Sequence, residues 1–383
     1  MLIDYNDYFP IKSPNTVMAN ALDDPIDLIT SRIELSPEQP KTISFYVGTQ
    51  INGLPHIGTY LVQAMAFHLA EQTFKRTGIP ARVSFGALDN APYEIMKNKR
   101  GEQFQLTYRD ALGDSEIKKV IEQHYTQYFR DLSRYTNIPY EIQTYTEQQA
   151  TPEYREEFLR ILPKLSKLGI ALSPSKKHFK IRIPNPINRL TEKHANNTKL
   201  LEFDDNRAVF ESLGFGGDYY KSLVTSTNAN ETYIDINTLG RNLIKELVCM
   251  RKVDEMSIMI KGGDWMTGSS LVDFGHGVAG KRADRIPLRV YAPQIVTPEG
   301  AKLSKTLINE GHQSSTEIPE YFLDMSKFRE LFPNVAGKML STSKLFASDA
   351  KHLFRSYSYK EMERILKTDS RYIMAFKELV TTK

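Results

Sequence analysis

The chain has 383 residues, 40% hydrophobic and 25% charged, proportions of an ordinary globular protein with room for one large α/β domain and smaller attachments. Lys plus Arg (50) exceed Asp plus Glu (46) by four, too slight a surplus to require a nucleic-acid partner. Cys249 is the only cysteine, which excludes a disulfide framework and a cysteine-rich zinc site, and the eight histidines show no metal-ligand spacing.

The opening Met-Leu-Ile-Asp-Tyr-Asn has neither a basic nor an apolar leader region, and no uncharged apolar run approaches membrane-spanning length. The expectation is therefore a cytoplasmic protein with no membrane partner. Residues 1–40, rich in Pro, Asn and Asp, read as an irregular lead-in with one short helix near Pro25–Ser31. Thr42–Gly48 is a β-branched and aromatic run, hence a buried strand. Gly53 and Pro55 mark a turn. From Ile57 to Arg76, Leu61, Met65, Leu69 and Phe74 recur at near-helical spacing, and Gly78 supplies the stop. Pro80–Leu88 reads as the next strand, so residues 42–88 form a βαβ unit with a parallel sheet.

Residues 116–136 and 152–168 read as helices around a short strand at Tyr140–Tyr145. Region 170–235 changes character, with Pro174, Pro184 and Pro186, Asn- and Asp-rich text and a β-like piece at His178–Ile183. It reads as an insertion. Ile236–Lys252 is helical, Ser257–Lys261 and Leu288–Val296 read as strands, and helices are expected at 317–331 and 360–380. The tail from Leu331 to Lys383 carries ten Lys/Arg against five Asp/Glu, which suits a phosphate backbone or a solvated helical surface alike.

Three segments carry chemistry. His56 stands where a strand hands over to a helix whose first N–H groups face anions. Pro55 stiffens that turn, Gly58 lets a ligand approach, and Thr59 adds a hydroxyl; alone, His56 reads as well as a core cap. Lys302 and Lys305, with Ser304 between them, could reach the departing phosphates of a nucleotide and stabilise their charge; alone, they read as a solvated turn. Lys261-Gly-Gly-Asp-Trp265 ends a strand, so Gly263 permits close approach and Asp264 could accept from ribose hydroxyls. Alone, Asp264 reads as the N-cap of a helix over Met266–Val272.

Together, in this order, these residues resemble a class I aminoacyl-tRNA synthetase. His56-Ile57-Gly58-Thr59 stands in the place of the family's HIGH signature, and Lys302-Leu303-Ser304-Lys305-Thr306 in that of KMSKS. Asn52–Thr59 is similar to the Ser-Gly-Leu-Pro-His-Ile-Gly-Thr of bacterial class I lysyl-tRNA synthetases, and Gly263-Asp264-Trp265 with Gly268-Ser269-Ser270 to that family's Gly-Lys/Arg-Asp-His and Gly-Gly-Ser run. The similarity covers roughly residues 42–150 and 235–310.

The resemblance implies an α/β fold with a HUP-type Rossmann nucleotide-binding domain over 41–169 and 236–312. It also implies an inserted connective region at 170–235 and a helical stem-contact-like region at 313–383. His56, Thr59, Lys302 and Lys305 would be catalytic, with ATP bound by Pro55, Gly58, Gly263, Asp264 and Ser304. Gly48, Gln50, Asp89, Asn90, Tyr93, Trp265 and Ser269 would form the amino-acid pocket. The cofactors implied are ATP and Mg²⁺, the latter expected from charge neutralisation across pyrophosphate with no legible protein ligand. The partners implied are an amino acid and a tRNA acceptor stem.

The pattern is departed from in four places. Trp265 replaces a histidine, Phe85–Pro92 leaves Asp89 as the only carboxylate of its run, and Lys305-Thr306-Leu307-Ile308-Asn309 lacks the usual Ser-Lys-Gly. The span after Lys305 is also too short for the large anticodon-binding domain. A buried lysine ammonium needs a paired anion, so this pocket offers lysine little. The functions in view are amino-acid activation with transfer to tRNA, transfer to a non-tRNA acceptor, a nucleotide-binding module without turnover, and a nucleotidyltransferase of the same superfold.

Overall fold

The apolar run Thr42–Gln50 (β1) is the middle strand of a five-stranded sheet in the computed structural model. The structure describes residues 25–36, 38–281, 285–297, 300, 302–303, 318–348, 350–353 and 355–368. Helix α1 (Pro25–Glu34) precedes β1, while α2 (Ile57–Thr77) and β2 (Ala81–Leu88) follow it. α2 is buried on nearly every side, as a helix held between a sheet and other helices must be. It ends at Gly78, whose left-handed φ of 71° closes the last turn through a bond to the Phe74 carbonyl.

Next come the hairpin β3 (Pro92–Lys97) and β4 (Gln103–Thr107), then α3 (Tyr108–Ile121) running through a π-turn into α4 (Gln127–Thr136). β5 (Tyr140–Thr144), α5 (Tyr145–Ala150), α6 (Pro152–Ile161) and α7 (Leu165–Leu172) follow. The central sheet is completed by β12 (Glu255–Gly262) and β13 (Leu288–Ala292), reached through α8 (Thr238–Cys249) and α9 (Met266–Ala279). Its order is β13-β12-β1-β2-β5 and every pairing in it is parallel. The fold is thus α/β with a doubly wound parallel sheet, and the winding reverses between β1 and β12, where such sheets open a crevice beyond their carboxyl ends. The five central residues of β1 are buried while Gly48 and Gln50 at its end are exposed, so the strand opens into that crevice.

The segment between α7 and α8 is antiparallel. It contains β6 (Ile181–Arg182), β7 (Thr191–Glu192), β8 (Lys199–Phe203), β9 (Arg207–Leu213), β10 (Tyr219–Thr225) and β11 (Asp235–Ile236). β8, β9 and β10 form a meander, β6 pairs with β11, and β7 joins the edge of the β3–β4 hairpin. The inserted segment is therefore tied to residues 92–107, a hairpin with no counterpart in the sequence reading.

Other expectations are corrected in detail. The strand expected over Leu288–Val296 stops at Ala292, because Pro293 cannot donate to a ladder. Its continuation, β14 (Ile295–Val296), pairs instead with β15 (Tyr357–Ser358). Only Ile181–Arg182 of the piece expected at His178–Ile183 is strand. The helix expected from 116 starts at Tyr108, with a kink at Gly113. The helix expected over 317–331 is a 3₁₀ turn at Glu320–Phe322 followed by α10 (Met325–Leu331). α11 (Val335–Ala347), α12 (Ala350–Leu353) and α13 (Tyr359–Lys367) come after it. The 360–380 expectation lies outside the described residues beyond Thr368, as does the lead-in before Pro25.

One apolar cluster joins α2, β1 and β2 to α11 and α13 (Phe67, Phe85, Met339, Phe346 and Met362 among its members). A second, around Phe158, Leu168, Phe210 and Leu243, joins α6–α8 to the inserted strands. Among the described residues no helix is long and apolar enough to cross a membrane.

Candidate functional site

The first wall of the crevice is the start of α2. His56 is its N-cap, in extended backbone (φ −109°, ψ 167°), and its Nδ1 accepts the Gly58 N–H at 3.2 Å. With Nδ1 accepting, the proton of the neutral ring sits on Nε2 and makes that atom a donor. A Cβ on Gly58 would lie 3.0 Å from the ring carbon Cε1, so glycine is what lets the imidazole fold over the helix start. Pro55, buried behind the turn, fixes its direction.

The second wall is the end of β12. Gly262 leads into a 3₁₀ turn over Gly263–Trp265. Asp264 does not cap α9; the N-cap position belongs to Trp265, which makes no capping bond. Instead the Asp264 Oδ2 accepts from the Lys302 Nζ at 2.5 Å. Lys302 is brought there by a chain reversal, in which it bridges Val296 and the Leu303 N–H donates to the Ile295 carbonyl. Leu303 is buried beneath the reversal and anchors it. Ser304 and Lys305 lie outside the described residues.

Between these walls is a cavity of about 220 Å³. One water needs ~10–15 Å³ by the same measure, so a ligand with several functional groups fits. Gly48, His56, Gly58, Thr59, Asp264, Trp265 and Lys302 all line it, although Lys302 lies far from His56 in sequence. Gln50, Pro55, Asp89, Asn90, Tyr93, Gly263 and Ser269 are not among its lining residues.

The reasons are local. The Asp89 carboxylate turns to α5, where Oδ1 accepts the Thr146 N–H at 3.1 Å and Oδ2 the Thr146 hydroxyl at 2.5 Å. Burial pushes its pKa up to about 6 against those bonds. Asn90 donates to Asp235 and accepts from Arg241. Tyr93 is exposed, edge-on to Tyr108, and Ser269 is buried in α9. Gln50 is exposed at the end of β1, and Gly263 packs toward Gln294 and the Ala292 carbonyl.

The floor of the cavity holds residues the sequence reading passed over. Thr238, Arg241, Asn242 and Lys245 follow i, i+3, i+4, i+7 spacing, and all four line it from one face of α8. That periodicity is visible in the sequence; that the face looks onto β1 and β12 is not. The Lys245 ammonium lies 4.8 Å from the ring centre of Tyr46, and burial lowers its pKa. Lys261 donates to Asn242 Oδ1 at 3.0 Å and stands 5.1 Å from the Trp265 ring centre. Burial draws its pKa down to about 8 against the pull of Glu246, whose carboxylate is 3.6 Å away. Glu246 is itself fully buried behind the floor, bonded to His276 and Arg289. On α2, Gln63 lines the cavity with its side chain buried, and neither amide atom has a hydrogen-bond partner among the described residues.

No family model and no curated protein matches the sequence. Similar solved structures include the tyrosyl-tRNA synthetase of Archaeoglobus fulgidus complexed with L-tyrosine, at 12% identity and a TM-score of 0.38, covering 91% of this chain and 94% of that one. Others are the tryptophanyl-tRNA synthetase of Encephalitozoon cuniculi bound to tryptophan (10%, TM-score 0.36, 98% and 92%) and the methionyl-tRNA synthetase of Mycobacterium tuberculosis bound by methionyl-adenylate (11%, TM-score 0.34, 80% and 71%).

Proposed function

We propose that the protein is an ATP-dependent ligase that activates an amino acid as its adenylate, in the manner of a class I aminoacyl-tRNA synthetase. The observation that carries this reading is the meeting of His56, at the N-cap of α2, with Lys302 and Asp264 in one cavity at the reversal point of the parallel sheet.

In this reading the α-phosphate sits at the start of α2. The amino-acid carboxylate attacks phosphorus, a P–O bond forms, and the bond to the leaving pyrophosphate breaks. No proton need move, so catalysis consists of placing donors where charge grows. The His56 Nε2–H and the Thr59 hydroxyl would supply them on one side and Lys302 on the other, with Lys305, outside the described residues, as a further candidate cation. Asp264 turns from Lys302 to the ribose hydroxyls as Lys302 turns to the phosphates. The cradle fits such a ligand: a Cβ on Gly58 or Gly262 would crowd His56 or Asp264, the latter at 2.6 Å.

Mg²⁺ would neutralise charge on the pyrophosphate. Among the described residues no group of three or more His, Cys, Asp or Glu side chains is placed to hold a metal, and the cavity's one carboxylate, Asp264, is paired. The ion would thus be held by the phosphates and water, as Mg²⁺ commonly is at nucleotide sites.

A tRNA acceptor end is the acceptor favoured by a second depression, in the inserted segment, lined by Lys176, His178, Lys180, His194 and Asn196. Burial and the neighbouring charges of Lys176, Arg182 and Lys193 lower the pKa of Lys180, a crowding of cations that a polyanion would relieve.

Exchange of labelled pyrophosphate into ATP, run with each of the twenty amino acids, tests the activation step. Label should enter ATP with one amino acid, and His56→Ala should reduce that rate roughly a hundredfold, the scale of a lost transition-state donor. Silence with every amino acid would leave a nucleotide-binding module.

A further inference from the structure

The cavity has two ends of different chemistry. The residues proposed to face the phosphates, His56 and Thr59, stand at the start of α2, beyond the end of β1. The Lys245 ammonium lies over Tyr46, deeper along β1 than the exposed Gly48. The activated carboxyl must reach phosphorus at the first end, so the rest of the substrate points to the second.

That second end is cationic. Arg241 and Lys245 have no carboxylate within ion-pair distance among the described residues; Arg241 is held by Asn90 and Tyr145, and Lys245 by the Tyr46 ring. Lys261 is countered only from behind, by Glu246, and the single lining carboxylate is paired with Lys302. A neutral substrate would leave the buried Arg241 and the half-buried Lys245 without a carboxylate at ion-pair distance, and lysine would add a further positive charge.

Resting on the adenylation reading, we infer that the acid activated here carries a side-chain carboxylate, as an α-amino dicarboxylic acid does, received by Lys245 and Arg241 on α8 and Lys261 on β12. Gln63, on the α2 side of the cavity, has no hydrogen-bond partner for its buried amide among the described residues and would offer the substrate ammonium an acceptor if its side chain turned toward the cavity.

The test uses the full chain. L-glutamate, L-aspartate, their amides and L-lysine are titrated calorimetrically without ATP, and pyrophosphate exchange is run with all twenty amino acids. One of the two acids should bind, or exchange, at least ~100-fold better than its amide, the scale of a lost partner in a buried charge pair. Lys245→Met, which keeps the apolar stem, should erase most of that preference with its melting temperature near that of the parent. Should the variant not fold, the parent's own selectivity decides the matter. Exchange with lysine or a neutral amino acid overturns the inference and leaves adenylation standing. Acid-selective binding with no exchange by any amino acid sustains the reception of a side-chain carboxylate by Lys245 and Arg241 and removes adenylation, while neither binding nor exchange removes both.

Discussion

Asp264→Ala separates a structural from a functional carboxylate. The Lys302 and Asp264 side chains are 43% and 29% exposed, so their 2.5 Å pair belongs to the class contributing ~0.2–1 kcal/mol. Its loss should lower the melting temperature by only about 1 °C or less. Bonds from ribose hydroxyls to a carboxylate are worth about 1.5–3 kcal/mol. The variant forfeits these, and it also escapes the cost of up to ~1 kcal/mol for opening the pair when ATP arrives. The net loss is about 1–2 kcal/mol, a roughly 5- to 30-fold rise in the KM for ATP. The kcat at saturating ATP and the KM for the amino acid should move much less. Pyrophosphate exchange at saturating amino acid with ATP varied measures this directly. An unchanged KM for ATP would refute the ribose role, and a fall in melting temperature well beyond that range would show Asp264 to be a structural clamp.

Glu246→Gln should destabilise the protein by about 3–5 kcal/mol, because its fully buried carboxylate neutralises Lys261 and Arg289 and bonds His276. Burial alone would raise this carboxyl, and those three partners overcome it to hold the pKa below its ordinary value. A lowered denaturation midpoint at unchanged m-value is the expected result. Asp89 gives a pH signature of the opposite kind. Its folded pKa is raised to about 6 from 3.8, so the stability it contributes is fully present below about pH 4 and lost as pH rises through 6. Asp89→Asn should flatten that part of the stability–pH curve in denaturant unfolding across this range, and an unaltered slope would show that Asp89 is ionised throughout.

The β1–α2–β2 unit was legible because each piece carries its own signal: a β-branched run, near-helical apolar spacing, and Gly78 at the stop. The turn at His56 was legible for the same reason. Asp264 was legible as a strand-end carboxylate, but capping is a local rule, and the Lys302 that draws it away arrives by a reversal anchored by Leu303. The β3–β4 hairpin left little trace, since Pro92–Lys97 is exposed along most of its length and shows no alternation of apolar and polar residues. Asp89 and Asn90, implied as pocket residues by the resemblance, follow β2 directly, but the chain turns them toward α5 and toward Asp235 and Arg241 instead. The α8 cations were periodic in the sequence but had no direction until the sheet order placed that helix against the cavity.

The sheet order also explains why likeness at Asn52–Thr59 is a weak guide to the amino acid. In the proposed function, with β1 and β12 adjacent and α2 starting where β1 ends, a nucleotide in the crevice would meet the same imidazole and helix start, whatever acid it reacts with. The other end of the cavity is built from α8, β12 and the interior of β1, and it can change its charge without disturbing the first. In the proposed function, the phosphate end would draw on the start of α2 and the turn after β12, and substrate choice chiefly on the cationic face of α8. A substitution such as Lys245→Met should weaken use of the preferred acid and change which acid is taken, whereas His56→Ala should slow the reaction of whichever acid is chosen.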